Sequence, residues 1–255
     1  MSNPPRGTKI RISVGRRLVN ELLHHAKRVP SLPLSRECSI PEIAALRMKA
    51  MPSPSWMAIF IKAYAVAAQT HAELRRAWIP YPYSHLYQHP HSECAILIER
   101  EWEGEPIVLC AKLHCPEQSS LAAIDSHLRE FREKPVWEVS SFRQLLRVGR
   151  MPSFLRRFVF WRILYLSGAK RAKRFGTFMA SSLGAYGVEQ HHPLTPLTTY
   201  LTFGPVSPSG NVTVKIIYDH RVMDGGHVAR ILRDVETILN TIILEELYLL
   251  PQGGG

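Results

Sequence analysis

The chain has 255 residues, 45% of them hydrophobic and 21% charged, with a formal net charge of +11. That length can bury a sizeable core in one or two domains, and the apolar fraction excludes a disordered protein. Four cysteines exclude a disulfide scaffold; no apolar run of about 18 residues marks a membrane-spanning helix, and MSNPPRGTKIRIS lacks the apolar core of a signal peptide, so cytoplasmic residence is expected.

Residues 1–9 read as a loose tail. Leu18, Leu22 and Ala26 recur every four residues and predict a helix over 15–28. Residues 30–54 are Pro-rich and carry no clear period. Ser55 is placed to cap a helix through about Thr70, and WMAIFIKAYAVAA is apolar on most sides, so that helix is expected to be buried. CAILIE at 94–99 and IVLCAKL at 107–113 predict two strands joined by the turn EGEP. Ser119 or Ser120 caps the next helix, with Leu121, Ile124, Leu128 and Phe131 on one stripe, and Pro135 ends it.

Residues 143–174 hold ten Lys/Arg and no Asp/Glu, whereas the rest of the chain has 22 basic and 21 acidic residues. One segment therefore carries nearly all the excess charge. It interleaves Phe154, Phe158, Phe160, Trp161 and Tyr165 with arginines and ends in Lys170, Arg171, Lys173 and Arg174. Three readings stay open: a packed apolar helix with a solvated basic end, a surface for a membrane or an apolar acyl group, and a nucleic-acid face. No helix-turn-helix, zinc-finger or RNP-like string supports the third.

Three short strands follow, at 176–182, 197–203 and 211–218, the last with Val212, Val214, Ile216 and Tyr218 on one face. A final helix is predicted over 226–247 through Val228, Ile231, Leu232, Val235, Ile238, Leu239 and Ile242; PQGGG at 251–255 reads as a tail. Interspersed strands and helices predict one α/β domain over 10–250, a two-layer sandwich of helices on a mixed sheet, with 143–174 as a basic apolar insertion.

The strand at 211–218 runs into DHRVMDGG, so Asp219 to Gly226 lies on a strand-to-helix turn, and the two glycines are expected to let it bend sharply. Histidine suits general-base chemistry near neutral pH. DHRVMDG resembles the HxxxDG signature of chloramphenicol acetyltransferase and of the catalytic domain of dihydrolipoyl acyltransferases, the E2 components of 2-oxo acid dehydrogenase complexes. GTFMASSLG at 176–184 resembles the E2 string GTFTISNLG. RRLVNELLHHAKRVPSLPL at 16–34 and FIKAYAVAA at 60–68 are weaker matches, and in outline the likeness spans 8–250.

The resemblance implies a chloramphenicol acetyltransferase-like fold, a homotrimer with its active sites between subunits, and acyl transfer from coenzyme A or another pantetheine thiol. His220 would be the general base, Ser181 the donor to the oxyanion, with Ser182 a minor contributor. Asp224 would be a structural carboxylate held by an arginine, with Arg16 or Arg17 as partner. In a trimer, Ser181 and His220 of one site can belong to different subunits. Unlike a full E2 chain, 255 residues leave no room for a lipoyl domain, so no covalently bound lipoyl group is expected here. From charge alone, Arg171, Lys173 and Arg174 are candidates for the coenzyme phosphate, and 143–174 for an acidic carrier protein or a membrane surface.

No metal is expected: His85, His89 and His91 near Cys94 lack zinc spacing, and Cys110 and Cys115 have no second pair. Walker, Rossmann and GxSxG strings are absent. The alternative function is a catalytically inactive trimeric scaffold that uses the basic face for membrane or partner contact.

Overall fold

A computed structural model describes residues 7–251. The expected tails at 1–9 and 251–255 therefore lie mostly outside the described residues. Helix α1 (Val14–Ala26) starts at Ser13, whose hydroxyl accepts from the Arg16 amide. Ser55 caps α3 (Trp56–Thr70) in the same way, and Ser120 caps α4 (Leu121–Glu133). Strands β4 (Glu93–Trp102) and β5 (Glu105–His114) form the expected hairpin. Glu103 and Gly104 both take positive φ at its two-residue turn, which matches the twist of the strands.

Four elements escape the periodicity of the sequence, although the likeness of 16–34 to the family's first helix and following strand points to the first of them. The Pro-rich stretch contains β1 (Ser31–Ser39) and α2 (Pro41–Lys49). β1 is an edge strand and so tolerates Pro33 opposite Ile217. A separate ribbon pairs β2 (Arg76–Ile79) with β3 (His85–Gln88). The basic segment is three helices, α5 (Ser140–Arg150), α6 (Ser153–Leu166) and α7 (Gly168–Phe175), interrupted at Pro152 and Ser167.

Strands β6 (Phe178–Ala180), β7 (Thr199–Phe203) and β8 (Asn211–Asp219) complete a six-stranded mixed sheet of order β1-β8-β7-β6-β4-β5. β4, β6 and β7 run parallel, and the remaining pairs are antiparallel. The main core joins one face of the sheet to α3, α4, α5 and α8 (Gly225–Ile238) through residues such as Phe60, Leu128, Phe142 and Ile231. A smaller cluster, Ala95, Met179, Leu197, Tyr200 and Ile217, occupies the other face, with Leu22 and Phe175 packed on it. After α8 the chain passes through a π-helical stretch, Leu239–Ile243, into α9 (Leu244–Tyr248). The extra residue in the π turn rotates the register, so Ile243 is buried where the periodicity predicts Ile242, which is exposed.

Gly176, between α7 and β6, takes φ +97°, and a Cβ there would lie 2.7 Å from the Glu93 carbonyl oxygen. That approach requires glycine in the GTF string. Gly225 and Gly226 do not use their freedom as expected: neither has positive φ, and both open α8.

Candidate active site

His220 stands where β8 ends. Its amide donates to the Pro30 carbonyl at 3.0 Å, while the Asp219 amide donates to Thr198 at 2.8 Å, so the edge of the sheet is tied on both sides before the chain turns. The turn is wound about the fully buried Asp219 carboxylate. Oδ1 accepts the Arg221 amide at 3.0 Å, and the Arg221 guanidinium grips both oxygens, with Nη2 2.6 Å from Oδ2. Arg221 in turn lies over the Trp78 ring, 4.1 Å from its centre. A buried charge needs such a partner.

The His220 ring is half exposed. Its Nδ1 lies 3.2 Å from the Met223 carbonyl oxygen, which accepts only, so Nδ1 carries the proton. Nε2 is then the basic nitrogen, and among the described residues it has no hydrogen-bond partner. The Tyr218 ring meets the imidazole edge-on at 6.0 Å. A fixed tautomer with a free, accessible Nε2 is the arrangement a general base requires.

Asp224 does not take the expected arginine. Its side chain is 87% exposed and lies 3.4 Å from His220 Nδ1. The Arg17 guanidinium instead donates to the Ile12 carbonyl just before the first helix, and among the described residues neither Arg16 nor Arg17 forms an ion pair. The carboxylate–arginine pair of this turn is Asp219–Arg221, next to the histidine rather than four residues after it. An acidic residue closing a buried strand two places before an arginine is the signal that would have identified it.

Arg171 is not presented to a ligand. It is buried, with Nη1 on the Trp78 carbonyl at 3.0 Å and Nη2 on the Pro196 carbonyl at 2.9 Å. Burial pushes its pKa down to about 10, against the pull of Asp219. It is thus a strut behind the His220 turn. Lys173 and Arg174 are exposed, and Arg174 reaches Gln144 at 3.1 Å. The Lys173 carbonyl accepts from Lys112 of β5, so this end of α7 lies on the β5 side of the sheet, four strands away from β8.

Ser181 lies at the opposite end of the strands. β6 pairs Ala180 with Leu201, and β7 pairs Leu201 with Ile216, so Ser181 is level with Lys215. At about 3.3 Å per residue, that is roughly 16 Å from His220 along the strand. One chain does not bring the two together. Ser181 Oγ is 2.6 Å from Tyr200 Oη and donates to Gln190 Oε1 at 3.0 Å. Gln190 also accepts from Thr202, and its carbonyl accepts from the buried Lys215, which pairs with Glu189 at 2.7 Å. Burial raises the Tyr200 pKa to about 12, which keeps the phenol protonated. Tyr200 and Gln190 were missed; Tyr200 stands on β7 at the register of Met179. Ser182 bonds the Phe203 carbonyl and the Gly184 amide, holding the following turn.

Among the described residues, two clusters bring possible metal ligands within 4.8 Å of one another: His71, Glu73 and His227, and His91, Cys115 and Glu117. In the first, the side chains already pair, His71 with Asp234, His227 with Glu73, and Glu73 with Arg76. Cavities of about 10 and 510 Å³ are lined by neither His220 nor Ser181; the larger runs between the start of α1 and the Trp102 end of the β4–β5 hairpin.

No family model matches this chain, and no curated protein does. Solved structures do. Dihydrolipoamide acetyltransferase of Azotobacter vinelandii is similar with a TM-score of 0.70 and 17% identity, over 98% of this chain and 100% of that one. A probable dihydrolipoamide acetyltransferase from Listeria monocytogenes 4b F2365 gives 0.66 and 16%, over 92% and 95%. A chloramphenicol acetyltransferase gives 0.50 and 15%, over 89% and 98%. The Azotobacter structure was studied for the role of a serine, a histidine and, four residues further on, an asparagine in its catalytic mechanism. At such identities these likenesses show the fold, the two-layer α/β sandwich shared with these acyltransferases.

Proposed function

We propose that this chain is an acyltransferase that moves an acyl group from coenzyme A, or from a carrier-protein pantetheine thioester, to a hydroxyl, amine or thiol acceptor. The observation that carries the reading is the His220 imidazole, with Nδ1 held by the Met223 carbonyl and Nε2 left free at a half-open turn. The histidine and the residue four places on, His220 and Asp224 here, repeat the spacing studied in the Azotobacter enzyme, with aspartate in place of asparagine.

In the reaction, the acceptor X–H approaches Nε2. As X attacks the thioester carbonyl carbon, its proton passes to Nε2 and the carbonyl π pair moves to oxygen. The Ser181 hydroxyl of an adjacent subunit donates to that oxyanion. Collapse re-forms the carbonyl, breaks the C–S bond and expels the thiolate, which takes the proton back from the imidazolium. No acyl-enzyme forms. A base of this kind contributes about 10²–10⁴ in rate, and one oxyanion donor about 10²–10³. Because Ser181 and His220 stand at opposite ends of the strands, the reading requires a closed oligomer, and we propose the homotrimer. Lys173 and Arg174, both exposed, are proposed to meet the phosphates of the coenzyme.

The test is acceptor-dependent thiol release, using a thiol reagent, acetyl-CoA and longer acyl-CoAs, and a panel of small hydroxyl, amine and thiol acceptors. The expected result is release that falls by about 10²–10⁴ in His220→Ala with unchanged circular dichroism. Release that is indifferent to His220 would refute the assignment.

A further inference from the structure

Helix α6 has two unlike faces. Arg156, Phe160 and Leu164 are buried. Phe154, Phe158 and Trp161, spaced four and three residues apart, form a stripe on another side. Phe154 is 70% and Phe158 57% exposed. The stripe continues beyond the helix: Phe158 stacks on Trp161 at 6.1 Å, and Trp161 meets Tyr81 at 5.7 Å. Tyr81 and the 72% exposed Tyr83 belong to the connection between β2 and β3. Single exposed aromatics are ordinary, but a connected row from two separate segments marks a contact surface.

The surroundings identify the partner. Arg162 and Lys170 are exposed and have no ion-pair partner among the described residues, and no Asp or Glu occurs anywhere in 143–174. A second copy packed face to face would set these cations against themselves. Aromatic rings flanked by unpaired cations complement the boundary between acyl chains and anionic headgroups. At 14 residues α6 is too short to cross a bilayer, and no described helix is long and apolar enough to do so.

We propose that the α6 face, with Tyr81 and Tyr83, docks this protein on the surface of an anionic phospholipid bilayer. The helix lies in the plane of the interface, its rings among the upper acyl segments and Arg162 and Lys170 at the phosphates. The proposal does not depend on acyl transfer, because His220 takes no part in it.

The experiment is flotation of the full chain with vesicles of phosphatidylcholine alone, or with about 30 mol% phosphatidylglycerol, at low and high salt. The expected result is capture by the anionic vesicles only, weakened by salt, with Trp161 fluorescence quenched by brominated acyl chains. Phe154→Ser with Phe158→Ser should lower capture about tenfold at unchanged Tm, and Arg162→Glu with Lys170→Glu should do the same. Three results would overturn the proposal. The first is no capture of the unmodified protein. The second is capture matched by soluble polyglutamate and indifferent to the phenylalanine pair, which would mean charge alone. The third is lipid-free sedimentation in which the phenylalanine pair dissociates an oligomer, which would assign the face to a second copy.

Discussion

The turn after β8 and the basic helices α5–α7 both combine arginine with aromatic residues, yet they use them differently. At the turn, the ion pair Asp219–Arg221 is scaffolding, and the imidazole proposed as the base is left half open beside it. In α5–α7, two of the ten cations are also scaffolding: Arg156 is buried on Glu21, and Arg171 is buried against two backbone carbonyls. The others point outward. Counting charge along the chain therefore overstates what 143–174 offers a ligand, while the short motif at 219–226 understates how much structure stands behind one histidine.

The largest expected effect separates buried cations from exposed ones. Glu21 is 1% exposed and receives both Arg156 and Arg157. Glu21→Ala leaves Arg156 buried without its partner and should cost about 3–5 kcal/mol in chemical denaturation. Arg162→Ala, in the same segment, should change stability by less than about 0.5 kcal/mol. Equal costs would erase the distinction between the two classes.

Arg171 joins the two regions, and its substitution sharpens the comparison. Arg171→Met strands the Trp78 and Pro196 carbonyls at about 1–3 kcal/mol for each unsatisfied group. It should lower Tm and turnover together while leaving the KM for acyl-CoA unchanged. A raised KM at unchanged Tm would restore Arg171 as a coenzyme ligand.

A third prediction concerns pH. His25 is buried between α1 and α6, with Nδ1 3.1 Å from Tyr165 Oη, and burial lowers its pKa from 6.5 to about 4. Between those values the unfolded chain binds the proton and the folded one does not. Stability is therefore full above pH 6.5 and falls as pH drops toward 4, by roughly 2–3 kcal/mol at about 1.4 per pH unit. His25→Phe should flatten that part of the denaturation profile, and an unchanged slope would place the titrating group elsewhere. The smallest effect is expected at Lys173 and Arg174: charge reversal of both should raise the KM for acyl-CoA several-fold with Tm unchanged, since exposed charges contribute modestly.

The legible parts of this molecule share a physical cause. Helices α3 and α4 and the β4–β5 hairpin were readable because serine caps, apolar stripes and a turn lie close together in sequence. The period of β1 was hidden by Pro33, which only an edge position tolerates, and β2–β3 by a ribbon too short to show a period. The strand-to-helix placement of His220 was readable from alternation ending at Tyr218. The surroundings of the Asp219–Arg221 pair were not, because Trp78 under Arg221 and the nearby Arg171 arrive from distant parts of the chain, and neither was the Tyr200–Gln190 clasp on Ser181. Where Ser181 stands relative to His220 follows from strand register, which no local pattern encodes.

The central claim is that His220 of one subunit and Ser181 of another complete a single acyl-transfer site. Mixing two inactive proteins, His220→Ala and Ser181→Ala, unfolding and refolding them together, and assaying thiol release tests it directly. Random assembly in equal amounts leaves about a quarter of the sites with both residues intact, so about a quarter of the original activity should return. Mixed oligomers that form and stay inactive would contradict it.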